Sequence, residues 1–334
     1  QMGMWGVCYP KEVGGTGGDF ISYALACFEI NRCDVATGTS YAVHMSLGTY
    51  PLFKFGTPEQ KERWLRPALE GKKLTAFGLT EPNAGSDAAM QETIAVKEGD
   101  EYVINGTKYF ITNSGFADIY TVFAMTDKSK GVKGISAFII EKVHPGFTFG
   151  KQEVKMGIRS SVQRELLFKD CRIPASHLVG KEGEGFKIAM TALDFGRIGV
   201  AAQGAGVAWG AFECALKYAK ERVQFGRPII QNQAMHFMLA DMATDIEAAK
   251  LLILRACDMA DRGMNFSREV AMAKLFATDV GMRTTTNAVQ IYGGAGFLND
   301  HPVERMMRDS KILQIYEGTN QVQRMVIAGP WLRG

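Results

Sequence analysis

The stretch Phe77-Gly78-Leu79-Thr80-Glu81-Pro82-Asn83-Ala84-Gly85-Ser86-Asp87 gathers a proline, two glycines and several hydroxyl and carboxylate side chains. Such a loop can cradle an anionic cofactor on backbone N–H groups and hydroxyls. It can equally be an Asx-rich surface turn, and the residues alone leave the two readings level. Glu317 stands in Tyr316-Glu317-Gly318-Thr319, where spacing by itself describes a carboxylate at a helix end. No P-loop is present. Gly204-Ala205-Gly206 and Gly293-Gly294-Ala295-Gly296 fall within or at the end of helical patterns, so they speak for close helix packing rather than a dinucleotide fingerprint. The cysteines Cys8, Cys27, Cys33, Cys171, Cys214 and Cys257 form no CxxC pair and read as reduced, buried or inert thiols. The five histidines show no HExxH spacing, and no metal site is expected.

The elements that must position these groups follow from texture along the 334 residues. Residues 1–75 carry helical segments broken by glycines, with helices expected at 18–34 and 57–70. The second opens at Thr57-Pro58-Glu59, an N-cap followed by proline in the first turn. Residues 76–181 switch to short β-rich runs at 93–96, 102–104, 108–112, 120–126, 136–141 and 164–169. Asn105-Gly106 between two of them signals a type I′ hairpin. No helix-length segment separates the runs, so the sheet is expected to be antiparallel and barrel-like or sandwich-like.

From residue 182 the pattern is long helices. One spans 186–221, roughly 54 Å at about 1.5 Å per residue, with Lys217, Lys220 and Arg222 at its dipole-favoured end. A second spans 232–261, and a third starts after the N-cap candidate Ser267 and stops at Gly293-Gly294. A shorter helix runs from Pro302 to near Gly318, and a last one ends at Gly329-Pro330. Short loops between long helices argue for an up-and-down bundle. The fold class is therefore α+β: an N-terminal helical domain (1–75), a central antiparallel β-domain (76–181) and a C-terminal long-helix bundle (182–334).

Composition narrows the function classes. Hydrophobic residues make up 46% and charged residues 22%, as in a globular protein. A net charge of +3 supplies no basic field for nucleic acid, and no run of 18 apolar residues could span a membrane. The chain opens at Gln1 inside what reads as folded sequence, so further N-terminal residues are expected upstream.

The loop at 77–87 resembles the flavin-binding loop of the acyl-CoA dehydrogenase family. Five more segments resemble the same family in the same order. They are Tyr109-Phe110-Ile111-Thr112-Asn113, Leu193-Asp194-Phe195-Gly196-Arg197-Ile198-Gly199, Glu221-Arg222-Val223-Gln224-Phe225-Gly226-Arg227, Gln290-Ile291-Tyr292-Gly293-Gly294 and Gln314-Ile315-Tyr316-Glu317-Gly318-Thr319-Asn320-Gln321. The Leu193–Gly199 stretch and the Thr126-Asp127-Lys128-Ser129-Lys130-Gly131 loop make the chain most similar to short-chain (butyryl-CoA) members.

The resemblance implies FAD-dependent α,β-dehydrogenation of a short-chain acyl-CoA thioester. A base removes the α-proton while a hydride leaves Cβ for flavin N5. The matching base is Glu317, and burial in an apolar cavity is expected to raise its pKa toward neutrality. Other family branches carry the base on the long helix near Asp194, where Phe195 and Gly196 here cannot serve. The backbone N–H of Glu317 and a ribityl hydroxyl would stabilise the developing enolate.

Thr80 and Thr112 match residues bonding the isoalloxazine, with Phe77 and Leu79 lining the same loop. Phe110 replaces the tryptophan of many relatives. Ser86 matches a contact to cofactor pyrophosphate and substrate arm. Arg222, Gln224, Phe225, Gln290 and Gly294 match residues that grip FAD from a neighbouring subunit, Arg222 supplying a guanidinium for the diphosphate, and Gln233 and Gly293 join the cofactor-binding set. Thr319 and Gln321 match further FAD contacts. Asp194, Arg197 and Gly318 join Ser86 and Glu317 as the substrate set, Asp194 and Arg197 toward the CoA arm.

The same resemblance implies a homo-oligomer, with a dimer of dimers expected. It implies an electron-transferring flavoprotein as acceptor, since the sequence supplies no second redox centre. The bacterial cytoplasm or the mitochondrial matrix would be the compartment. An enoyl-CoA reductase would share these residues. An acyl-CoA oxidase would carry a further C-terminal domain, and a DNA-binding relative would need a basic face. Neither nucleic acid nor a membrane is expected as a partner.

Overall fold

The computed structural model describes residues 3–332. The N-terminal third forms helices α1 (Phe20–Cys33), α2 (Val35–Ala42), α3 (Tyr50–Phe55), α4 (Pro58–Gln60) and α5 (Arg66–Leu69). Thr57 caps α4 in a capping box with Gln60, as the Thr-Pro-Glu opening predicts. Strands follow: β1 (Thr75–Gly78), β2 (Ile94–Glu98), β3 (Glu101–Thr112), β4 (Ile119–Met125), β5 (Ile135–Glu141), β6 (Phe147–Gln152), β7 (Gln163–Pro174) and β8 (Leu178–Val179). Helix α6 (Gly185–Glu221) leads to a small hairpin of β9 (Val223–Gln224) and β10 (Arg227–Pro228). Helices α7 (Gln233–Asp261), α8 (Ser267–Tyr292), α9 (Pro302–Leu313) and α10 (Asn320–Leu332) complete the chain.

Two compact units interleave along it. One comprises residues 1–19, 40–154 and 161–196; the other comprises 20–39, 155–160 and 197–334.

The first unit is built on an eight-stranded sheet in the order β6-β7-β3-β2-β4-β5-β8, with β1 also on β4. Every residue of β4 is buried, so this strand is covered on both faces. Tyr102, Ile104, Tyr120, Phe138, Phe147, Leu166 and Ile173 form the core around it.

The sheet corrects two expectations. Asn105-Gly106 makes no hairpin; β3 runs straight through it as one 12-residue strand. Gly106, at φ 145°, sits in a bulge against β7, and a Cβ there would lie 2.6 Å from Thr93 Cα. The β2–β3 turn falls instead at Gly99-Asp100, where Gly99 takes φ 61° and Glu98 pairs with Glu101. Nor is the sheet wholly antiparallel, because β1 pairs β4 in parallel, Thr75 opposite Ile119. The long connection between those strands, which itself carries β2 and β3, permits that direction.

In the second unit, small residues let helices approach closely. A Cβ on Gly204 of α6 would lie 2.6 Å from Ala277 O of α8, and one on Gly206 would lie 2.4 Å from Phe28 O of α1. Val207, Ala211, Ala215, Leu239, Met242, Ile291 and Leu313 form the core between α6, α7, α8 and α9.

Three helix ends differ from the sequence reading. Ser267 is the first helical residue, not the cap, and its amide is taken by Asn265 Oδ1 at 3.2 Å. Helix α9 stops at Leu313, leaving Glu317 in an irregular turn. Helix α10 continues past Pro330 to Leu332. Among the described residues no two cysteines form a disulfide; Cys27, Cys171 and Cys257 are buried, whereas Cys33 is exposed.

Candidate active site

Glu317 lies between α9 and α10 with φ 54°, followed by Gly318 at φ 92°. A left-handed conformation costs a non-glycine residue roughly 1–3 kcal/mol and persists only where neighbours enforce it. Here they do. The Glu317 carbonyl accepts from Arg197 Nε (3.2 Å) and Gln323 Nε2 (3.3 Å). The Gly318 carbonyl accepts from Lys274 Nζ (3.0 Å) and again from Gln323 Nε2 (2.9 Å). On the preceding side, Tyr316 donates to Gln203 Oε1 at 2.6 Å, and Gln203 Nε2 reaches Asn31 Oδ1 and Thr39 Oγ1 at 3.3 and 3.2 Å. On the following side, Thr319 Oγ1 takes the Val322 amide at 3.2 Å and starts α10.

The carboxyl so presented has an unusual setting. Glu317 Oε2 is buried and has no hydrogen-bond partner among the described residues. Burial pushes the group up to about 7, against the opposing pull of Arg197 and Lys274. Lys274 is itself wholly buried, and burial pulls it down to about 7. A carboxyl poised near neutrality and free of protein donors can accept a proton from a weak carbon acid.

In the first unit, the loop at 77–87 is anchored by a buried ion pair. Lys108 Nζ donates to Glu81 Oε1 (2.6 Å), Gln91 Oε1 (3.0 Å) and Leu79 O (3.2 Å), which uses all three protons. Glu81 Oε2 in turn accepts from the amides of Glu92 (2.6 Å) and Thr93 (3.3 Å). Thr80 O takes the Tyr109 amide at 2.8 Å. Phe77 and Leu79 are buried, Thr80 is half-buried and Ser86 is exposed. Phe110 has φ 58° and is 59% exposed near the end of β3, with its ring centroid 4.1 Å from that of Tyr109. Two residues on, Thr112 Oγ1 accepts from Gln163 Nε2 at 3.1 Å, which leaves its own proton available to donate. Gln163 Oε1 is buried without a hydrogen-bond partner among the described residues. Asp194 is half-buried near Tyr50, whose hydroxyl it helps to push up.

Another group in the second unit is exposed throughout. Arg222, Gln224, Phe225, Gln233, Gln290, Gly293, Gly294 and Gln321 all face outward in the single chain. Phe225 and Gly226 take φ 52° and 77° at the turn between β9 and β10, which holds a fully exposed phenyl ring aloft. A Cβ on Gly293 or Gly294 would meet nothing within 4 Å, so their bare backbone is open to an approaching group.

These residues fit the flavin that the resemblance implies. Hydroxyl donors, an exposed aromatic face, open glycine backbone and a guanidinium suit an uncharged polar ring system and its diphosphate. The buried unpartnered oxygens of Gln163 and Glu317 mark positions where the folded chain leaves polar demand unmet.

The structure thus draws Arg197, Glu317, Gly318 and Thr319 together, and separately Phe77, Leu79, Thr80, Phe110 and Thr112. Sequence reasoning missed the groups that hold them: Glu81 with Lys108, Gln163, Gln203 and Lys274. Lys274 had a signal, being the lone charge in the apolar run Val270-Ala271-Met272-Ala273-Lys274-Leu275-Phe276-Ala277. Glu81 lies within the loop at 77–87, and Lys108, Gln163 and Gln203, in sequence, look like ordinary strand or helix polar residues.

One cluster had no signal at all. Glu141, His144 and His177 bring possible ligand atoms within 4.8 Å of one another. Arg63 Nη2 and Trp64 Nε1 already donate to the two Glu141 oxygens at 2.8 and 3.1 Å, so the cluster is held by its own protein partners.

Comparison with known proteins shows the family of the chain. Family models described as acyl-CoA dehydrogenase N-terminal, middle and C-terminal domains match residues 1–72, 76–171 and 183–330. A relative from Clostridium acetobutylicum, "Acyl-CoA dehydrogenase, short-chain specific", is 51% identical over 100% of this chain and 88% of its own. The structure of butyryl-CoA dehydrogenase from Megasphaera elsdenii superposes with a TM-score of 0.98 at 53% identity, covering 99% of this chain and 88% of that one. A chain in the structure titled "Electron transferring flavoprotein of Acidaminococcus fermentans: Towards a mechanism of flavin-based electron bifurcation" also gives a TM-score of 0.98. It is 56% identical, covering 99% of this chain and 87% of that one. Among the described residues, no helix is long and apolar enough to cross a membrane.

Proposed function

The chain belongs to the acyl-CoA dehydrogenase family, an FAD-dependent oxidoreductase, and from that premise we propose that it oxidises a short-chain acyl-CoA to the trans-2-enoyl-CoA with Glu317 as the base. The observation that carries the reading is the buried, unpartnered Glu317 carboxyl held on a left-handed turn. Bound FAD supplies the acceptor for the hydrogen leaving Cβ. Thr80, Ser86, Thr112, Thr319 and Gln321 would hold it, together with Arg222, Gln224, Phe225, Gln233, Gln290, Gly293 and Gly294 from a neighbouring subunit of a homo-oligomer.

Glu317 takes the α-proton on a carboxylate oxygen and becomes neutral, the form its apolar setting favours. Its own amide N–H has no acceptor among the described residues and donates to the thioester oxygen as charge develops there. Asp194, Arg197 and Gly318 belong to the substrate side, Arg197 acting through its bond to the Glu317 carbonyl. Electrons then leave to an electron-transferring flavoprotein.

The test is Glu317→Gln. The holoenzyme is expected to keep its FAD and bind butyryl-CoA, while the rate of flavin bleaching by that substrate falls at least about 10³-fold. Bleaching at the parent rate would remove Glu317 from the role of base.

A further inference from the structure

The turn that presents Glu317 rests on two buried cations, Arg197 and Lys274, and Lys274 also bonds a second anchor. Lys274 projects from α8 and is buried completely. Its ammonium donates to Gly318 O at 3.0 Å and to Asn320 Oδ1 at 2.9 Å. Asn320 is pinned in turn. Its Oδ1 accepts from Thr278 Oγ1 at 3.2 Å, and its Nδ2 donates to Asp279 Oδ1 at 2.7 Å. Gln314, before the turn, also donates to Asp279 Oδ1 at 2.7 Å. One face of α8 therefore grips the chain on both sides of Glu317.

Among the described residues, no carboxylate lies within hydrogen-bond reach of the Lys274 ammonium, which makes two of its three possible hydrogen bonds. Glu317 Oε2, whose field Lys274 feels, has no donor. Each of these buried groups thus feels the field of the other without a hydrogen bond between them, and burial keeps Coulomb interactions weakly screened.

We propose that Lys274 is a positioning residue for Glu317: it fixes the left-handed turn that presents the carboxyl, and its positive charge holds that carboxyl in the proton-accepting form. The proposal rests on the reading of Glu317 as the base.

The surrounding charges are few. Arg197 of α6 faces the same carboxyl from the other side and favours its ionised form. Asp279 of α8 faces Lys274 and is bridged to Arg324 of α10 at 3.7 Å. From α1, Cys27 and, through it, Tyr23 face the turn, and Tyr316 precedes Glu317. Burial pushes the Cys27 thiol and the Tyr316 hydroxyl up, so neither ionises near neutral pH. With Lys274 removed, Arg197 alone would oppose desolvation of Glu317.

The experiment measures the pH dependence of kcat/KM with butyryl-CoA and a one-electron dye for the FAD-loaded wild type, Lys274→Met, Lys274→Gln and Lys274→Arg. The acid limb, which reports deprotonation of the base, is expected to move up by about one pH unit in Lys274→Met. Activity near pH 7 then falls about fivefold and recovers by pH 9. Lys274→Gln keeps N–H donors for Gly318 O but loses the charge, so it is expected to show the same shift. Lys274→Arg is expected to return the limb toward the wild-type position.

A loss of equal size at every pH, or an unmoved limb in Lys274→Gln, would overturn the proposal. The Gln variant decides the matter if Lys274→Met fails to fold. The parallel Glu317→Gln measurement separates the two failures, because bleaching at the parent rate in that variant overturns the base assignment whatever Lys274 does.

Discussion

Two wholly buried lysines, one in each unit, hold candidate site residues, and they are partnered in opposite ways. Lys108 meets Glu81 at 2.6 Å, both side chains almost fully buried, and spends its remaining protons on Gln91 and Leu79 O. Its charge is cancelled where it stands. Lys274 meets a carbonyl and a carboxamide, and the carboxylates that feel its charge, Glu317 and Asp279, make no hydrogen bond to it. Burial lowers both, Lys108 to about 8 and Lys274 to about 7. A self-contained pair is a structural clamp whose field does not reach far. An unpaired buried cation is an electrostatic element for whatever titrates beside it.

The contrast breaks most readily at Lys108. Lys108→Met strands the Glu81 carboxylate in an apolar site and frees the loop carrying Thr80 and Ser86. The cost is expected to be about 3–5 kcal/mol of stability, read by denaturant titration, with FAD affinity falling in parallel. Adding Glu81→Leu is expected to return part of that stability, since no charge is then left unpaired. FAD-loaded Lys108→Met should keep the wild-type acid limb. A limb that moves with Lys108 as it does with Lys274 would dissolve the distinction between clamp and tuner.

The second effect is smaller and depends on pH. Glu317 is raised from 4.5 to about 7. Between those values the folded protein keeps a proton that the unfolded chain has lost, so stability from this group declines as pH rises through the window and is lost above about 7. The full difference is on the order of 3 kcal/mol. Lys274, lowered from 10.5 to about 7, acts in the next window, where stability is regained as pH rises. Glu317→Gln escapes the first penalty. Its melting temperature relative to wild type is expected to increase from pH 4.5 to pH 7 and then level off. A difference that stays flat with pH would show that Glu317 titrates in the folded protein as it does in the unfolded chain.

What could be read in advance divides along the same line. The order of helices, strands and long helices was legible because periodicity and punctuation are local properties. Asn105-Gly106 misled because the dipeptide that favours a type I′ turn also suits a bulge, and only the packing of Gly106 against Thr93 chooses. The parallel pairing of β1 with β4 depends on how far the connection travels, which no local pattern states. Motifs located Glu317, Thr80 and Thr112, whereas the groups that orient them lay 43 positions away for Lys274 and 51 for Gln163. Supporting contacts are made by the fold, so they become visible only with it.

The smallest effect is expected at Gln163, and it tests whether neutral support behaves like the clamp or like the tuner. Gln163 Nε2 donates to both Thr112 Oγ1 (3.1 Å) and Ser161 Oγ (2.9 Å), so the Thr112 hydroxyl is turned to donate rather than accept. Gln163→Leu removes that instruction without introducing or removing charge. Losing one neutral hydrogen bond is worth about 1 kcal/mol, so FAD binding should weaken by about fivefold, measured as the quenching of flavin fluorescence on titrating apoprotein. The acid limb should stay in place, because no charge near Glu317 has changed. An acid limb displaced by this neutral substitution would mean that geometry, and not the field of Lys274, sets the proton affinity of the base.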